Sequence, residues 1–116
     1  KFQIEGNTKL KALKLLKEAS SIEAAGAFSI VLECISPQTS KLITQRLKIP
    51  TIGIGSSNFC DGQILVTDDM LGISGFYPKF VKKYLSLDRI IEKAVKKYTR
   101  EVRQIKFPSK KNFLNG

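Results

Sequence analysis

Residues 28–34 read FSIVLEC, a short run of strand-forming residues that ends on a carboxylate and a cysteine. Side chains alternate between the two faces of a strand, so Ser29, Val31 and Glu33 share one face and the other face is apolar. A serine-proline pair follows closely and is typical of a helix start, because proline at the first helical position loses no needed hydrogen bond. The stretch therefore predicts a buried strand that leads directly into a helix, with Glu33 at the junction.

The segments on either side of this run extend it to an alternation of helices and strands. Upstream, Asn7 or Thr8 is suited to cap a helix that stops at Gly26. Downstream, a helix that opens at Pro37 leads to a second strand, TIGIG, at residues 51–55. Such an alternation with short connections indicates β/α units around a parallel sheet. The predicted apolar stripes are Leu10, Leu13, Leu16 and Ala19 in the first helix and Leu42, Ile43 and Leu47 in the second.

The second half of the chain has weaker signals until its last helix. Residues 63–67 (QILVT) predict either a third short strand or the entry to a helical turn. Ser86 or Asp88 is suited to cap a long helix that a proline closes, with a frayed basic tail at about residues 108–116. We expect residues 1–116 to form a single unit. The apolar face of the long helix is predicted to consist of Ile91, Val95, Tyr98, Val102 and Ile105.

The second strand also presents two different faces. Ile52 and Ile54 lie on one face, while Thr51, Gly53 and Gly55 lie on the other. We expect the large apolar residues to pack on surrounding helices and the small residues to face a crowded interior. This arrangement favours the closed sheet of a β/α barrel, although an open doubly wound sheet would also permit it.

Two other patterns indicate no separate site. The glycines of TIGIG lack the third glycine of a dinucleotide-binding fingerprint, because Asn58 stands in its place and no helix pattern follows. Asp61, Asp68 and Asp69 have no regular metal-ligand spacing, so each is predicted to be a turn or cap residue. The chain has no histidine and no Cys-x-x-Cys pair, and a zinc site is therefore not expected.

The composition limits the class of protein. The 116 residues, 42% of them hydrophobic, suit one globular unit, and no apolar run is long enough to span a bilayer. The N-terminal residues have no signal-peptide pattern. Cys34 and Cys60 are expected to be free thiols in the cytoplasm, although counting alone leaves a disulfide open.

The formal net charge of +10 raises the question of a nucleic-acid partner. Residues 88–116 carry nine basic and three acidic side chains, so much of the excess lies on the last helix and the tail. No aromatic RNA-binding motif, zinc finger or glycine-rich clamp accompanies it. A solvated helix face is therefore the preferred interpretation, and nucleic-acid binding is not expected.

Glu33 is the candidate catalytic residue. Ligands of parallel α/β proteins bind at the carboxyl ends of the strands, and Glu33 lies at such an end, on the face of Val31. We expect its side chain to point toward the mouth of a barrel, partly desolvated by Val31 and by the glycines of the next strand. A carboxylate there can take a proton from carbon or water. From position alone two structural roles stay open, namely pairing with a lysine and capping the helix that starts at Ser36.

Three stretches together resemble one enzyme family: GAFSIVLECIS at 26–36, IPTIGIGSSNFCDGQILVTDDMLG at 49–72 and PKFVKKY at 78–84. They look like the C-terminal part of the ketopantoate (3-methyl-2-oxobutanoate) hydroxymethyltransferases of pantothenate biosynthesis. FQIEGNT at 2–8 is similar to a family segment that precedes the same helix. The combination is more specific than any single piece. One departure is GIGSS at 53–57, where the family usually has GIGAG.

The resemblance implies a fold and a reaction. The fold is α/β, the C-terminal portion of a (βα)8 TIM barrel of the phosphoenolpyruvate/isocitrate-lyase type. The reaction is hydroxymethyl transfer from 5,10-methylenetetrahydrofolate to 3-methyl-2-oxobutanoate (α-ketoisovalerate), and the motif match makes Glu33 the base. The resemblance also implies a Mg²⁺ ion chelated by the keto acid. Its protein ligands are expected in an N-terminal half of the barrel, in the same or a companion chain, and none is expected in this chain.

The resemblance further implies a homo-oligomer, a decamer of two pentameric rings. Two alternatives remain. One is a carbon–carbon lyase or mutase of the same superfamily, which the VLEC and DGQ contexts disfavour. The other is an inactive basic fragment that binds protein or nucleic acid, supported only by the charge of the last helix.

Overall fold

The structure is a computed structural model that describes residues 2–114, and its first two helices and first two strands alternate in the predicted order. The three strands form one sheet in the order β1-β2-β3, and both pairings are parallel. The expected α/β architecture with a parallel sheet is therefore confirmed. The elements in chain order are α1 (Lys9–Ala24), β1 (Ile30–Glu33), α2 (Pro37–Arg46), β2 (Thr51–Ile54), β3 (Gly62–Gln63), α3 (Thr67–Leu71), α4 (Leu87–Arg103) and a 3-10 turn (Lys110–Asn112).

Most element boundaries lie close to the predicted ones, for identifiable reasons. Thr8 caps α1, since its hydroxyl oxygen accepts a backbone N–H of the first turn at 3.3 Å. Gly26 follows the end of this helix with a left-handed φ of 94°. β1 begins at Ile30, later than predicted. α4 ends at Arg103, before the proline expected to close it, because Ile105 adopts a left-handed φ of 56°.

Within residues 63–67, which predict either a strand or a helical turn, Gln63 belongs to a strand, Thr67 begins a helix, and residues 64–66 lie in neither. β3 ends at Gln63 after pairing with β2. α3 then starts at Thr67 and carries Asp68 and Asp69 in its first turn, where the helix dipole favours negative charge.

The hydrophobic core lies between the sheet and the helices α1 and α2. The predicted stripe of α1 is wrong in part, because Leu10 and Leu13 are 80% and 53% exposed, whereas Leu16 packs against the core. Steps of three residues fall about 60° short of a full helical turn, so a stripe that runs back from Ala19 in such steps rotates away from the core. Leu42 of α2, also predicted to be inside, is exposed. The buried members of the core are Ala19, Leu32, Ile35, Ile43, Leu47 and Cys60.

The strand register contradicts the predicted faces of β2. β1 and β2 pair with Leu32 beside Gly53 and Glu33 beside Ile54, and paired residues point to the same side of a sheet. The small residues of β2 therefore face the helices, while its two isoleucines lie on the face of Glu33. A Cβ atom at Gly53 would lie 2.9 Å from the side-chain nitrogen of Gln63 and 3.1 Å from Sγ of Cys60, so this position has no room for a larger residue.

α4 stands apart from this core. It has no buried residue, and the described chain is elongated, with extents of 70 × 31 × 18 Å. Its predicted apolar face is exposed. The predicted tail at 108–116 contains the 3-10 turn, and its last two residues lie outside the described part. Within residues 2–114, no helix is long and apolar enough to cross a membrane.

Candidate active site

Glu33 ends β1 and points to the side of the sheet opposite α1 and α2. It is exposed, and within residues 2–114 its carboxylate has no hydrogen bond or ion pair. Neither structural role that the sequence leaves open, a lysine pair or a cap on α2, is therefore realised in the described part of the chain. The expected partial desolvation is wrong for this chain, because the neighbouring Val31 is itself 53% exposed. The carboxylate is available to a ligand.

A tight turn follows Glu33 and fixes the end of β1. Cys34 has a left-handed φ of 53°, its N–H donates to the carbonyl of Ile54 at 2.9 Å, and its carbonyl accepts the N–H of Glu5 at 2.9 Å. Burial, and to a smaller extent the adjacent Glu33 carboxylate, raises the pKa of the Cys34 thiol. The thiol is therefore protonated near neutral pH and is not suited to act as a nucleophile.

Ser56 ties the loop after β2 to both sides of this turn. Its hydroxyl donates to the carbonyl of Leu32 at 2.6 Å and accepts the N–H of Ile35 at 3.1 Å. Glu33 lies between the two residues that this side chain holds. Ser56 is one of the two serines of GIGSS, so the departure from the family pattern adds a link that alanine cannot make. The serine itself was the only sequence signal, and it did not reveal its partners.

The segment before α1 supports the same turn from the other side, which the sequence did not predict. Glu5 forms a parallel bridge with Ile35, and its carbonyl accepts the N–H of Ser36 at 2.8 Å. The carbonyl of Gly6 accepts the hydroxyls of Ser36 and Thr39 at 2.9 and 2.7 Å. Gly6 is buried with a left-handed φ of 72°, and a Cβ atom there would lie 3.0 Å from the side chain of Thr39, which explains the glycine.

A cavity of about 660 Å³ opens beside the turn. Its floor includes Cys34 and Gly55. Cys34 directly follows Glu33, and Gly55 directly follows the last residue of β2. Its walls come from residues 2–4 and 76–80, and the rings of Phe2 and Phe80 meet edge to face at 5.3 Å. The cavity therefore lies at the carboxyl ends of the strands, next to the candidate base.

Asp61 belongs to the opposite end of the sheet. Its carboxylate accepts the N–H and the hydroxyl of Thr51, the first residue of β2, at 2.8 and 3.1 Å. These bonds hold the pKa of Asp61 below its ordinary value. The hydroxyl oxygens of Thr51 and Thr44 of α2 lie 2.8 Å apart, so the carboxylate ends a chain of polar groups that links β2 to α2. Its role in this structure is architectural.

The described residues do not offer a metal-binding set. Among residues 2–114 there is no group of three or more histidine, cysteine, aspartate or glutamate side chains close enough to hold an ion. Asp61 is occupied by Thr51, and Asp68 and Asp69 lie at the start of α3. No chemical step through Mg²⁺ is therefore derived from this chain.

Comparison with known proteins identifies similar sequences. The family model described as ketopantoate hydroxymethyltransferase matches residues 1–110. The chain is similar to the 3-methyl-2-oxobutanoate hydroxymethyltransferase of Picosynechococcus sp., with 49% identity over 107 residues, which are 92% of this chain and 41% of that protein. The enzymes of the same name from Clostridium botulinum and Pseudothermotoga lettingae are 48% and 49% identical over 96% and 99% of the chain. The chain spans 41% and 44% of these two relatives.

Proposed function

We propose that this chain, which belongs to the ketopantoate hydroxymethyltransferase family, supplies the general base of an enzyme that makes ketopantoate. The proposed reaction transfers a hydroxymethyl group from 5,10-methylenetetrahydrofolate to 3-methyl-2-oxobutanoate, with water supplying the hydroxyl oxygen. The names of the relatives favour this transfer over the alternative of a carbon–carbon lyase or mutase. The activity is proposed for the complete protein, because the relatives are more than twice as long as the matched part.

The observation that carries the proposal is the exposed Glu33 carboxylate, without a partner in the described chain, at the carboxyl end of a parallel strand. The proton on C3 of the keto acid is acidic because the adjacent keto group stabilises the enolate. Glu33 accepts this proton as the C3–H bond breaks. The electron pair of the C3–H bond then forms the C2–C3 double bond of the enolate. Water hydrolyses the methylene bridge of the donor: both of its C–N bonds break, the two folate nitrogens take up protons, and the one-carbon unit becomes formaldehyde. C3 of the enolate forms the new bond to this carbon as the electron pair of the C=O double bond moves to the oxygen, which takes up a proton. The turn held by Ser56 and Cys34 orients the base.

The proposal includes a (βα)8 barrel of the phosphoenolpyruvate/isocitrate-lyase type, of which this chain is the C-terminal portion. Two features support it. The sheet is parallel with α1 and α2 on one side only. The other side, with Val31, Glu33, Ile52 and Ile54, is left for a barrel interior. We place the rest of the sheet in an N-terminal half, in the same or a companion chain.

We also propose the cofactor, the assembly and the compartment. Mg²⁺ would polarise the keto oxygen of the substrate, with ligands from outside this chain. The family resemblance supports a decameric homo-oligomer. Cys34 and Cys60 are both free and buried, which is compatible with the reducing cytoplasm.

The test follows hydrogen exchange at C3 of 3-methyl-2-oxobutanoate in D2O by NMR, with the full-length protein. Glu33→Gln should slow both exchange and product formation by about 10²- to 10⁴-fold, because the amide cannot accept the proton. The matched control is Glu18→Gln, an exposed glutamate on α1 whose only charged partner in the described chain is Lys14 at 3.8 Å. Exchange at the wild-type rate in Glu33→Gln would show that another group is the base.

A further inference from the structure

The walls of the cavity beside Glu33 are rich in aromatic side chains. Four aromatic rings line it: those of Phe2, Phe76, Tyr77 and Phe80. Phe76 is 69% exposed and Phe2 is 54% exposed, so both of these lining residues have accessible surface. Aromatic rings with free faces and edges bind flat aromatic ligands by stacking and by edge contacts.

The charge of one wall of the cavity has a single sign. Residues 76–85, FYPKFVKKYL, contain three lysines and no acidic residue. Lys79 lines the cavity, and Nζ of Lys83 lies 4.3 Å from the centre of the Tyr77 ring at the same wall. A ligand with an anionic tail is therefore favoured at this side.

The position of the cavity relates it to the reacting groups. Gly55 closes its floor, and a Cβ atom there would lie 2.9 Å from the Phe80 ring, so the glycine lets the aromatic wall approach the strand end. Cys34, the next residue after Glu33, is also part of the floor. A ligand in the cavity would therefore lie next to the strand end that carries Glu33.

We infer that this cavity holds the pterin of the one-carbon donor, whose pyrimidine ring is flat and aromatic, with Lys79 as the cationic contact of its anionic tail. The inference rests on the proposed function, in which the reduced folate is the substrate with an aromatic pyrimidine ring and a carboxylate tail. The smaller keto acid, which has no aromatic ring, binds elsewhere at the mouth of the barrel.

The experiment is titration calorimetry on the full-length protein with 5-formyltetrahydrofolate, a reduced folate that cannot donate its one-carbon unit to the keto acid, and separately with 3-methyl-2-oxobutanoate. Phe76→Leu should raise the dissociation constant of the folate by about tenfold or more, the usual size of a lost stacking contact. Lys79→Gln should raise it by about three- to fivefold. Neither variant should change the dissociation constant of the keto acid.

Matched controls lie in the same segment. Tyr84 is 68% exposed and does not line the cavity, and Nζ of Lys82 lies over its ring at 5.0 Å. Tyr84→Leu and Lys82→Gln should leave folate binding at the wild-type level.

The outcomes separate the two levels of the proposal. Wild-type protein that binds the keto acid but no folate would overturn both the donor assignment and the cavity assignment. Wild-type folate affinity in Phe76→Leu and Lys79→Gln, or weaker binding of the keto acid in place of the folate, would overturn the cavity assignment and leave the proposed reaction standing.

Discussion

The two ends of one sheet hold two carboxylates in opposite states. At the amino end of β2, Asp61 accepts both the N–H and the hydroxyl of Thr51. At the carboxyl end of β1, Glu33 has no partner within residues 2–114. In parallel β/α proteins the amino ends of the strands serve stability, and the carboxyl ends carry the ligand sites. The difference teaches that the partners of a carboxylate, and not its presence, separate a structural acid from a candidate base.

The most direct test of this comparison replaces each carboxylate with its amide. Glu33→Gln should lower the rate of proton exchange by about 10²- to 10⁴-fold and leave the urea midpoint of unfolding unchanged. Asp61→Asn should lower the urea midpoint of unfolding and leave the rate of proton exchange unchanged. The reason is that it weakens the hydrogen bonds to Thr51, while the carboxyl end of the sheet keeps its shape. Both quantities are measured on each full-length variant. Equal losses of activity in the two variants would remove the distinction between the two ends.

Thr51→Val tests the amino end alone. The side chain of Thr51 is fully buried, and the valine would fill the same space without the hydroxyl that joins Asp61 to Thr44. The free energy of unfolding should fall by about 1–2 kcal/mol, measured by urea denaturation of the full-length protein. Thr67→Val, at an exposed position in α3, is the matched control. A loss no larger than in the control would contradict the role given to the polar chain.

Ser56→Ala tests the support of the carboxyl end. Removing the hydroxyl frees the carbonyl of Leu32 and the N–H of Ile35, so the turn after Glu33 loses one of its anchors. We expect kcat to fall by about three- to tenfold with KM unchanged, the size of one or two net hydrogen bonds. Ser57→Ala is the control, since that hydroxyl accepts the N–H of Phe59 at 3.3 Å. Full kcat in Ser56→Ala would show that the base does not depend on this link.

The smallest effect is a pH dependence at the amino end. The pKa of Asp61 is lower in the folded chain than its ordinary value, because the bonds from Thr51 favour the ionised form. Its contribution to stability should therefore be complete above the unfolded pKa of about 3.9 and disappear as the pH falls through the folded pKa. The difference in unfolding free energy between wild type and Asp61→Asn should be constant from about pH 7 to pH 5 and shrink below about pH 4. A difference that grows on acidification would have the wrong sign.

Local signals predicted much of the fold. The cap at Thr8, the stop at Gly26 and the helix start at Pro37 depend on residues within one turn of each other, so they can be read along the chain. The alternation in FSIVLEC placed Glu33 opposite the buried Leu32, and the structure has this arrangement. The motifs also indicated the family, and the match of the family model over most of the chain confirms it.

Contacts between distant segments were not predicted. The bridge from Glu5 to Ile35 uses backbone N–H and carbonyl groups, which every residue but proline has, so FQIEGNT contains no signal for it. The hydrogen bond from Ser56 to the carbonyl of Leu32 was not predicted either, because a serine in the sequence indicates a possible donor but not which group accepts from it. The stripe of α1 was misplaced because the rotation of a helix about its axis is set by what it packs against.

The sequence by itself determined the three long helices and the first two strands, and it placed Glu33 at a strand end on the face opposite Leu32. Only the tertiary structure decided which residues share that face. Alternation defines two faces of TIGIG but not which one meets the helices. The parallel register puts Gly53 beside Leu32 and Ile54 beside Glu33, and the side chains of Gln63 and Cys60 leave room only for glycine at position 53. Pairing between strands is a contact between distant residues, and it reversed the face that the pattern of β2 alone had favoured.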